Sequence, residues 1–243
     1  MSAKRGIIPC VANPSIFYNG MISPLMPYAI RGAIWYQGES NHNRPALYKE
    51  LFSAMIRSWR DGWGQGEFPF LFVQIPPCGK NMAEMGFAEV RQAQLRTSLE
   101  VPRTAMVTTT DVGDEKDIHP PHKDVVGGRL ALAARAVAYG EQVEFSGPIY
   151  DRIEVERDRA TLRFKHIGGG LVARDGPLRG FAIAGPDLKY TSAEAEIRGD
   201  RVVVWSRDVD QPTAVRFGWA DFPVVNLWNK AGLPASPFEA STK

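Results

Sequence analysis

Blocks of apolar residues alternate with amphipathic stretches through the first half of the chain. Three apolar runs, each bounded by turn-forming or polar residues, predict buried strands: 32–36, 68–75 and 104–110. Three stretches with apolar residues at helical spacing predict helices: 43–61, 84–98 and 123–139. Strand and helix thus alternate three times. This order predicts an α/β fold with a parallel sheet flanked by helices.

The pattern changes after Gly140. Short strand-like runs follow, separated by turns rich in Gly, Asp and Pro: 153–156, 161–164, 180–183, 201–205 and 214–217. We therefore expect two domains, an α/β domain over 1–140 and a β-rich module over 141–243 with mostly antiparallel strands. The tail from residue 221 carries enough apolar residues that we expect it to pack back on the body.

Composition and charge narrow the class of protein. The 243 residues include 29 basic and 27 acidic side chains, interspersed along the chain, so no tract indicates nucleic-acid binding. No apolar run is as long as a membrane-spanning helix, and the N-terminus lacks a signal-peptide pattern. Cys10 and Cys78 show no metal or disulfide spacing. We expect a cytoplasmic protein as the sequence stands, or a secreted or periplasmic one if its N-terminus is truncated.

A polar turn follows the first predicted strand at once. It comprises five residues: Gln37, Gly38, Glu39, Ser40 and Asn41. In open α/β sheets, ligands bind at the carboxyl ends of the strands. Amides at the start of the following helix favour negative charge at the same place. We expect this turn to line a functional site. The alternative is that Ser40, Asn41 and Asn43 only cap the helix.

A second polar cluster, residues 111–122, follows the third predicted strand and so lies at the same sheet edge. One chemistry that fits is a general base, His119, oriented by the carboxylate of Asp117. Another is a metal site made by His119, His122 and an aspartate. The two prolines between the histidines keep that segment extended, which disfavours a shared metal. A third interpretation is a loop of solvated charges.

Several segments together resemble one known family. They are Tyr-Asn-Gly-Met-Ile-Ser-Pro-Leu at 18–25, Gly-Ala-Ile-Trp-Tyr-Gln-Gly-Glu-Ser-Asn at 32–41, and Gly-Asp with Asp-Ile-His-Pro within 113–120. Further likeness lies at 165–171, 219–221 and 232–238. The chain resembles the sialate O-acetylesterase family, which is a group of SGNH-type carbohydrate esterases.

The resemblance implies hydrolysis of O-acetyl esters on carbohydrates by a Ser-His-Asp mechanism. Asp117 and His119 would be the acid and base of the triad, and the turn at 37–41 would line the oxyanion hole and the substrate. The fold would be the SGNH-hydrolase sheet with an accompanying β module. Such a mechanism needs no metal and no organic cofactor. The partner would be an acetylated carbohydrate, with no nucleic acid and no membrane.

The chain departs from the family pattern at the nucleophile. The family carries its serine in a Gly-Gln-Ser-Asn-Met motif upstream of the Tyr-Asn-Gly-Met segment, and this chain contains no such motif. We therefore expect the nucleophile to be absent from this chain and the sheet to be incomplete on its N-terminal side. An exposed strand edge would favour self-association.

Two alternatives stay open at this point. Ser40 is a candidate nucleophile, because residues 38–42 partly match the Gly-x-Ser-x-Gly elbow of other hydrolases, with His42 in place of the last glycine. The other alternative is a non-catalytic carbohydrate-binding or scaffold remnant of an esterase. In that case Trp35, Tyr36 and Trp63 would stack on sugar rings.

Overall fold

Three parallel strands form the sheet of the first half, in the order β1 (Ala33–Tyr36), β2 (Phe70–Val73) and β3 (Thr104–Val107). The computed structural model describes residues 15–79 and 85–242. Each strand lies within its predicted range. Tyr36 pairs with Val73, which pairs with Val107, so the three strands end level. The segments that follow them therefore emerge at one edge of the sheet.

Three helices cover the two faces of this sheet: α1 (Pro45–Trp63), α2 (Phe87–Glu100) and α3 (Lys123–Val137). Successive strand residues point to opposite faces. On one face, Phe70, Phe72 and Met106 share a core with residues of α1 and α2. On the other face, Leu71 and Val107 pack with α3. The predicted α/β fold with a parallel, helix-flanked sheet is confirmed.

The helix boundaries differ from the predicted ones for local reasons. α1 begins at Pro45, whose fixed backbone angle suits the first helical position. It ends at Gly64 (φ 63°), whose N–H donates to Arg60 O. The predicted first residue of α2, residue 84, lies outside the described residues, and α2 starts after Gly86. Upstream of β1, residues Tyr18–Ile22 form a short π-helical turn and Ser23–Leu25 form a 3₁₀ turn.

The second half of the described chain contains antiparallel strands, as predicted. They are β4 (Ile149–Glu156), β5 (Arg159–Lys165), β6 (Leu171–Ala173), β7 (Phe181–Ala184), β8 (Thr191–Ser192), β9 (Glu194–Arg198), β10 (Arg201–Trp205), β11 (Ala214–Phe217), β12 (Leu227–Asn229) and β13 (Phe238–Ser241). They form sheets in the orders β4-β5-β10-β9, β13-β11-β7-β8 and β12-β6. Five of these strands, namely β6, β8, β9, β12 and β13, were not predicted from the sequence.

One hydrophobic core runs through both halves of the described chain. It includes Phe52 and Phe72 of the α/β part together with Phe217 and Phe238 of the β part. The division of the chain into two domains at residue 140 stays a prediction. Among the described residues, no helix has both the length and the apolar composition needed to cross a bilayer. Cys78 is buried, and Cys10 lies outside the described residues.

Candidate active site at the carboxyl ends of the parallel strands

Three segments meet at the edge where the parallel strands end. Residues 37–41 follow β1, residues 74–79 follow β2, and residues 108–122 follow β3. Both polar clusters expected from the sequence therefore lie at this edge, with the segment after β2 between them. This is the edge at which open α/β sheets bind ligands.

Side chains of α1 and α2 hold the backbone of the turn after β1 in place. The carbonyl oxygen of Gln37 accepts hydrogen bonds from the Tyr48 hydroxyl (3.0 Å) and from Gln94 Nε2 (3.1 Å). Gly38 is buried, and a Cβ atom added to it would lie 2.6 Å from Ile75 Cγ2. Only glycine therefore allows the turn to lie this close to the segment after β2.

The side chains of the turn make local contacts. Gln37 Nε2 donates to Asn41 Oδ1 at 2.7 Å, and residues Glu39–Asn41 form a 3₁₀ turn of their own. α1 starts later, at Pro45, with no side-chain capping bond at its start. The simple capping role considered for Ser40, Asn41 and Asn43 is therefore wrong. Ser40 is exposed, and no hydrogen bond joins it to a histidine within the described residues.

Tyr36 links this turn to the start of α3. Burial, and after it the charge of Glu39, raise the pKa of Tyr36 to about 12. The Lys123 ammonium lies 4.6 Å from the centre of the Tyr36 ring, a cation–π contact. Because Lys123 is the first residue of α3, this contact connects the end of β1 with the end of the loop after β3.

Asp117 and His119 are in contact in the loop after β3. Asp117 Oδ1 lies 3.1 Å from His119 Nδ1 and accepts the His119 backbone N–H at 2.8 Å. A proton on Nδ1 facing the carboxylate leaves Nε2 as the basic nitrogen. The side chains are open to solvent, 64% exposed for Asp117 and 78% for His119. The pair can therefore receive a group brought from solvent or from another segment.

Asp114 shapes the turn that presents this pair. Its Oδ1 accepts the backbone N–H groups of Lys116 (2.8 Å) and Asp117 (3.0 Å). These two bonds favour the ionised carboxylate and lower the pKa of Asp114. The neighbouring Asp111 has a different role, because it forms a two-pronged ion pair with Arg129 at 2.7 and 2.6 Å. Asp111 therefore anchors the loop to α3.

The alternative metal site is not found. His122 lies at the start of α3 and is exposed. No group of three or more His, Cys, Asp or Glu side chains within residues 15–79 and 85–242 is arranged to hold a metal ion. His119 contacts the carboxylate of Asp117.

Two of the three aromatic residues considered for sugar stacking are structural. Trp35 packs on Phe52 and on Trp59, with ring centroids 6.4 and 5.8 Å apart. Trp63 packs on Trp59, and its indole N–H donates to Tyr28 O at 3.0 Å. Tyr36 is the one of the three that lies at the edge where the strands end.

Arg91 and Asp221 support the site and were not predicted from the sequence as functional residues. Arg91 is fully buried and donates to the carbonyl oxygens of Ile75, Pro76, Ala220 and Asp221 at 2.7–3.0 Å. Burial lowers the pKa of Arg91 to about 10, so it stays charged at neutral pH.

The Asp221 carboxylate caps the start of α2. It accepts the backbone N–H groups of Met85 (2.5 Å) and Phe87 (2.9 Å). The only sequence signal for Asp221 was its place in the 219–221 segment of the family likeness. Nothing in the sequence indicated a role for Arg91, because arginine side chains are mostly exposed.

The structure brings the predicted site residues into two groups. Gln37 and Asn41 are joined by a hydrogen bond, and so are Asp117 and His119. No hydrogen bond or ion pair connects one group with the other within the part of the chain that the structure describes. The two groups share the sheet edge, and the catalytic role of each stays a prediction.

Comparison with known proteins places this chain in a family. The family described as carbohydrate esterase, sialic acid-specific acetylesterase, matches residues 13–135. A sialate O-acetylesterase of Rattus norvegicus is 39% identical over 62% of this chain and 32% of its own length. That of Homo sapiens is 35% identical over 67% of this chain and 36% of its own length.

A solved structure agrees with these matches. The crystal structure of a carbohydrate acetylesterase from Xanthomonas citri superimposes with a TM-score of 0.90 at 43% identity, over 95% of this chain and 55% of that chain. The matches to the two sialate O-acetylesterases show that this chain spans about a third of the length of these curated relatives. Because the family match covers half of the chain, the chain belongs to the carbohydrate esterase family of sialic acid-specific acetylesterases.

Proposed function

We propose that this chain carries the acid–base pair and the substrate-lining turn of an enzyme that hydrolyses O-acetyl esters on carbohydrates. The observation that carries the proposal is the contact of His119 Nδ1 with Asp117 Oδ1 at the sheet edge, in a member of an acetylesterase family. We further propose that the sheet is of the SGNH-hydrolase type. The nucleophilic serine would lie outside this sequence, since the chain contains no Gly-Gln-Ser-Asn-Met motif.

In this mechanism a single residue, His119, transfers the proton. His119 Nε2 takes the proton of the serine hydroxyl as the serine oxygen bonds to the acetyl carbon, and then gives that proton to the departing sugar alcohol. Water repeats the two steps on the acetyl-enzyme and releases acetate. Asp117 holds the imidazole and stabilises its charged form. No metal or organic cofactor is required.

The turn after β1 would stabilise the oxyanion. The Gly38 N–H and the Gln37 amide are the donors, each worth on the order of 3 kcal/mol to the transition state. In the structure one N–H of the Gln37 side-chain amide donates to Asn41, and the second N–H would donate to the oxyanion. Glu39, Ser40 and Asn41 would line the sugar.

A chimera tests the proposal. In the Xanthomonas citri acetylesterase, the segment that matches this chain is replaced by this chain, and acetate release is measured from acetylated xylan and from O-acetylated sialic acid. We expect His119→Ala to lower kcat by about 10⁴-fold or more, as loss of a triad base does. His122→Ala is the matched control and should retain activity within about threefold, because it is His119, and not His122, that contacts the Asp117 carboxylate.

The chimera results separate the candidate functions. Similar large losses from both histidine changes would contradict the Asp117–His119 assignment and support the metal site. A chimera that folds and binds acetylated glycans but releases no acetate would support the non-catalytic carbohydrate-binding remnant.

The chain alone gives a second test, centred on Ser40. We expect very poor hydrolysis of 4-nitrophenyl acetate, since loss of a triad serine costs about a millionfold in kcat in subtilisin. Ser40→Ala should leave that residual rate unchanged. Rapid turnover that Ser40→Ala abolishes, with Ser40 trapped by a phosphonate in mass spectrometry, would show that Ser40 is the nucleophile.

A further inference from the structure

Arg216, on β11, is held between two aromatic rings far along the chain from Asp117 and His119. Its guanidinium carbon lies 3.9 Å from the centre of the Tyr190 ring and 4.5 Å from that of Trp219. Its Nε–H donates to Glu239 Oε2 at 2.7 Å, and the Tyr190 hydroxyl donates to the same oxygen at 3.3 Å. Stacking and the ion pair together fix the plane of the guanidinium.

This arrangement leaves hydrogen-bonding groups for a ligand. A guanidinium has five N–H donors. The bond to Glu239 uses the one at Nε, and the Tyr190 hydroxyl lies close enough to accept another, which leaves N–H donors for a ligand. The side chains are reachable, since 29% of Arg216 and 38% of Glu239 is exposed. A sugar hydroxyl, which both donates and accepts, suits an arginine donor beside a carboxylate acceptor.

A cavity of about 360 Å³ lies over this pair, within the size range of small-ligand sites. Leu188 and Tyr190 line it. Leu188 has a φ of 56°, a conformation that is unfavourable for a bulky residue, yet its side chain is 61% exposed. Packing in the core therefore does not explain why a leucine stands there. Strained residues of this kind cluster at binding sites.

A second cavity of about 500 Å³ adjoins the first, since Tyr190 and Pro186 line both. The second cavity is lined by Asp187, Asp208 and Asp210 against a single lysine, Lys189. Glu239 already neutralises Arg216 in the first cavity. An anionic ligand would meet like charges along this groove, so the ligand class it fits is neutral.

We propose that the groove through Tyr190 is a second carbohydrate site, distinct from the candidate active site, which binds a neutral sugar chain. A sugar residue would stack on the rim formed by Leu188 and Tyr190. Its hydroxyls would accept from Arg216 and donate to Glu239. The groove would hold a glycan main chain, whatever group the esterase site acts on.

Binding of neutral oligosaccharides to the described chain tests this site. The probes are xylohexaose, cellohexaose and mannohexaose, with hexagalacturonic acid as the charged comparison. Binding is followed by nuclear magnetic resonance, through the Trp219 indole N–H and the backbone amides of 186–190. We expect at least one neutral probe to give saturable shifts at these groups. No saturable shift with any neutral probe, or tighter binding of hexagalacturonic acid, would overturn the proposal.

Two changes at Tyr190 separate ring stacking from the bond to Glu239. Tyr190→Ala removes the ring and should weaken binding about tenfold or more. Tyr190→Phe keeps the ring and should bind within about threefold of the native chain. Thermal unfolding of each variant checks that the fold is retained. Equal affinity of the native chain and a folded Tyr190→Ala variant would overturn the proposal.

Leu188→Gly separates a ligand contact from a structural role. Glycine suits a positive φ, so this change should not lower the unfolding temperature, yet it should weaken binding about fivefold. Asp175→Gly is the matched control, because Asp175 also has a positive φ (55°) and is exposed but lines neither cavity. It should leave affinity unchanged. Unchanged affinity in Leu188→Gly would show that Leu188 does not contact the ligand and would remove it from the site.

These measurements involve no ester hydrolysis. Their failure would remove the second site and leave the proposed acetylesterase function as it stands. Conversely, an inactive chimera would not affect the binding result at Tyr190.

Discussion

A missing side chain at Gly38 determines how closely the turn after β1 approaches its neighbours. A Cβ atom there would lie 2.6 Å from Ile75 Cγ2 and 3.1 Å from Gln94 Nε2. Ile75 is only 1% exposed, so its side chain has little room to move. The Gly38 backbone N–H, which is proposed to stabilise the oxyanion, is thus positioned by a contact that only glycine allows.

Gly38→Ala should therefore destabilise the protein by about 1–3 kcal/mol, the usual range for overpacking a core. Urea unfolding measures the change. Gly127→Ala is the control, because Gly127 lies inside α3 with no atom within 4 Å of an added Cβ. That change should be neutral or stabilising, by up to about 1 kcal/mol, since alanine favours a helix. If Gly38→Ala proved as harmless as Gly127→Ala, the close contact with Ile75 would be unimportant.

At the scale of secondary structure elements, α1 supports the turn that precedes it. Tyr48 lies in the first turns of α1, is 3% exposed, and donates its hydroxyl proton to Gln37 O at 3.0 Å. Gln94 of α2 donates to the same oxygen. Two helices on one face of the sheet therefore hold the strand-to-helix turn from below.

Tyr48 should make stability depend on pH under alkaline conditions. Burial, the largest cause, raises the pKa of Tyr48 to about 12, so the unfolded chain loses this proton first as pH rises. Its contribution is complete below pH about 10 and falls by about 1.4 kcal/mol per pH unit up to about pH 12. Tyr48→Phe should be less stable by about 1 kcal/mol at neutral pH, from the lost hydrogen bond.

Urea unfolding of the native chain and of Tyr48→Phe across alkaline pH measures this effect. The stability difference between the two proteins should shrink above pH about 10 and then reverse, because phenylalanine has no proton to lose. Parallel profiles for the two proteins would mean that Tyr48 ionises equally easily in the folded and unfolded chains.

Local patterns in the sequence predicted the elements and contacts that depend on nearby residues. The helix α1 could be predicted because its apolar residues recur at helical spacing. The contact of Asp117 with His119 was readable because the two residues are two positions apart. The start of α2 could not be predicted in this way, because the Asp221 carboxylate that caps it lies 134 residues from Phe87 in sequence. No local pattern reports a cap of that kind.

At the scale of the molecule, the floor of the candidate site is built from both halves of the chain. Arg91 on α2 binds the carbonyl oxygens of Pro76 and Asp221, and Gln74 Nε2 donates to Ser236 Oγ at 2.9 Å. The segment after β2 is therefore fixed by residues of the C-terminal part. Removing that part would leave buried polar groups of Gln74 and Arg91 without partners, which is costly. The two parts therefore depend on each other, and the likeness to the Xanthomonas citri structure extends over both, at 95% of this chain.

The outer edge of the parallel sheet gives the last prediction. Within the described residues β1 pairs with β2 alone, so the main-chain groups on its other edge have no strand partner. The apolar side chain of Ile34, on β1 itself, is 68% exposed. α3 covers the same face at β2 and β3 but leaves Ile34 open. An apolar strand with a free edge is a template for association.

We therefore expect this chain alone to self-associate as its concentration rises, measured as molar mass by sedimentation equilibrium. Ile34→Lys should shift the protein toward monomer, because a charge on an edge strand opposes pairing with a second strand. Leu99→Lys is the control, since Leu99 is similarly apolar and exposed (52%) but lies near the end of α2. It should associate like the native chain. A native chain that stays monomeric at every concentration, or an equal effect of the two lysine changes, would show that the β1 edge does not drive association.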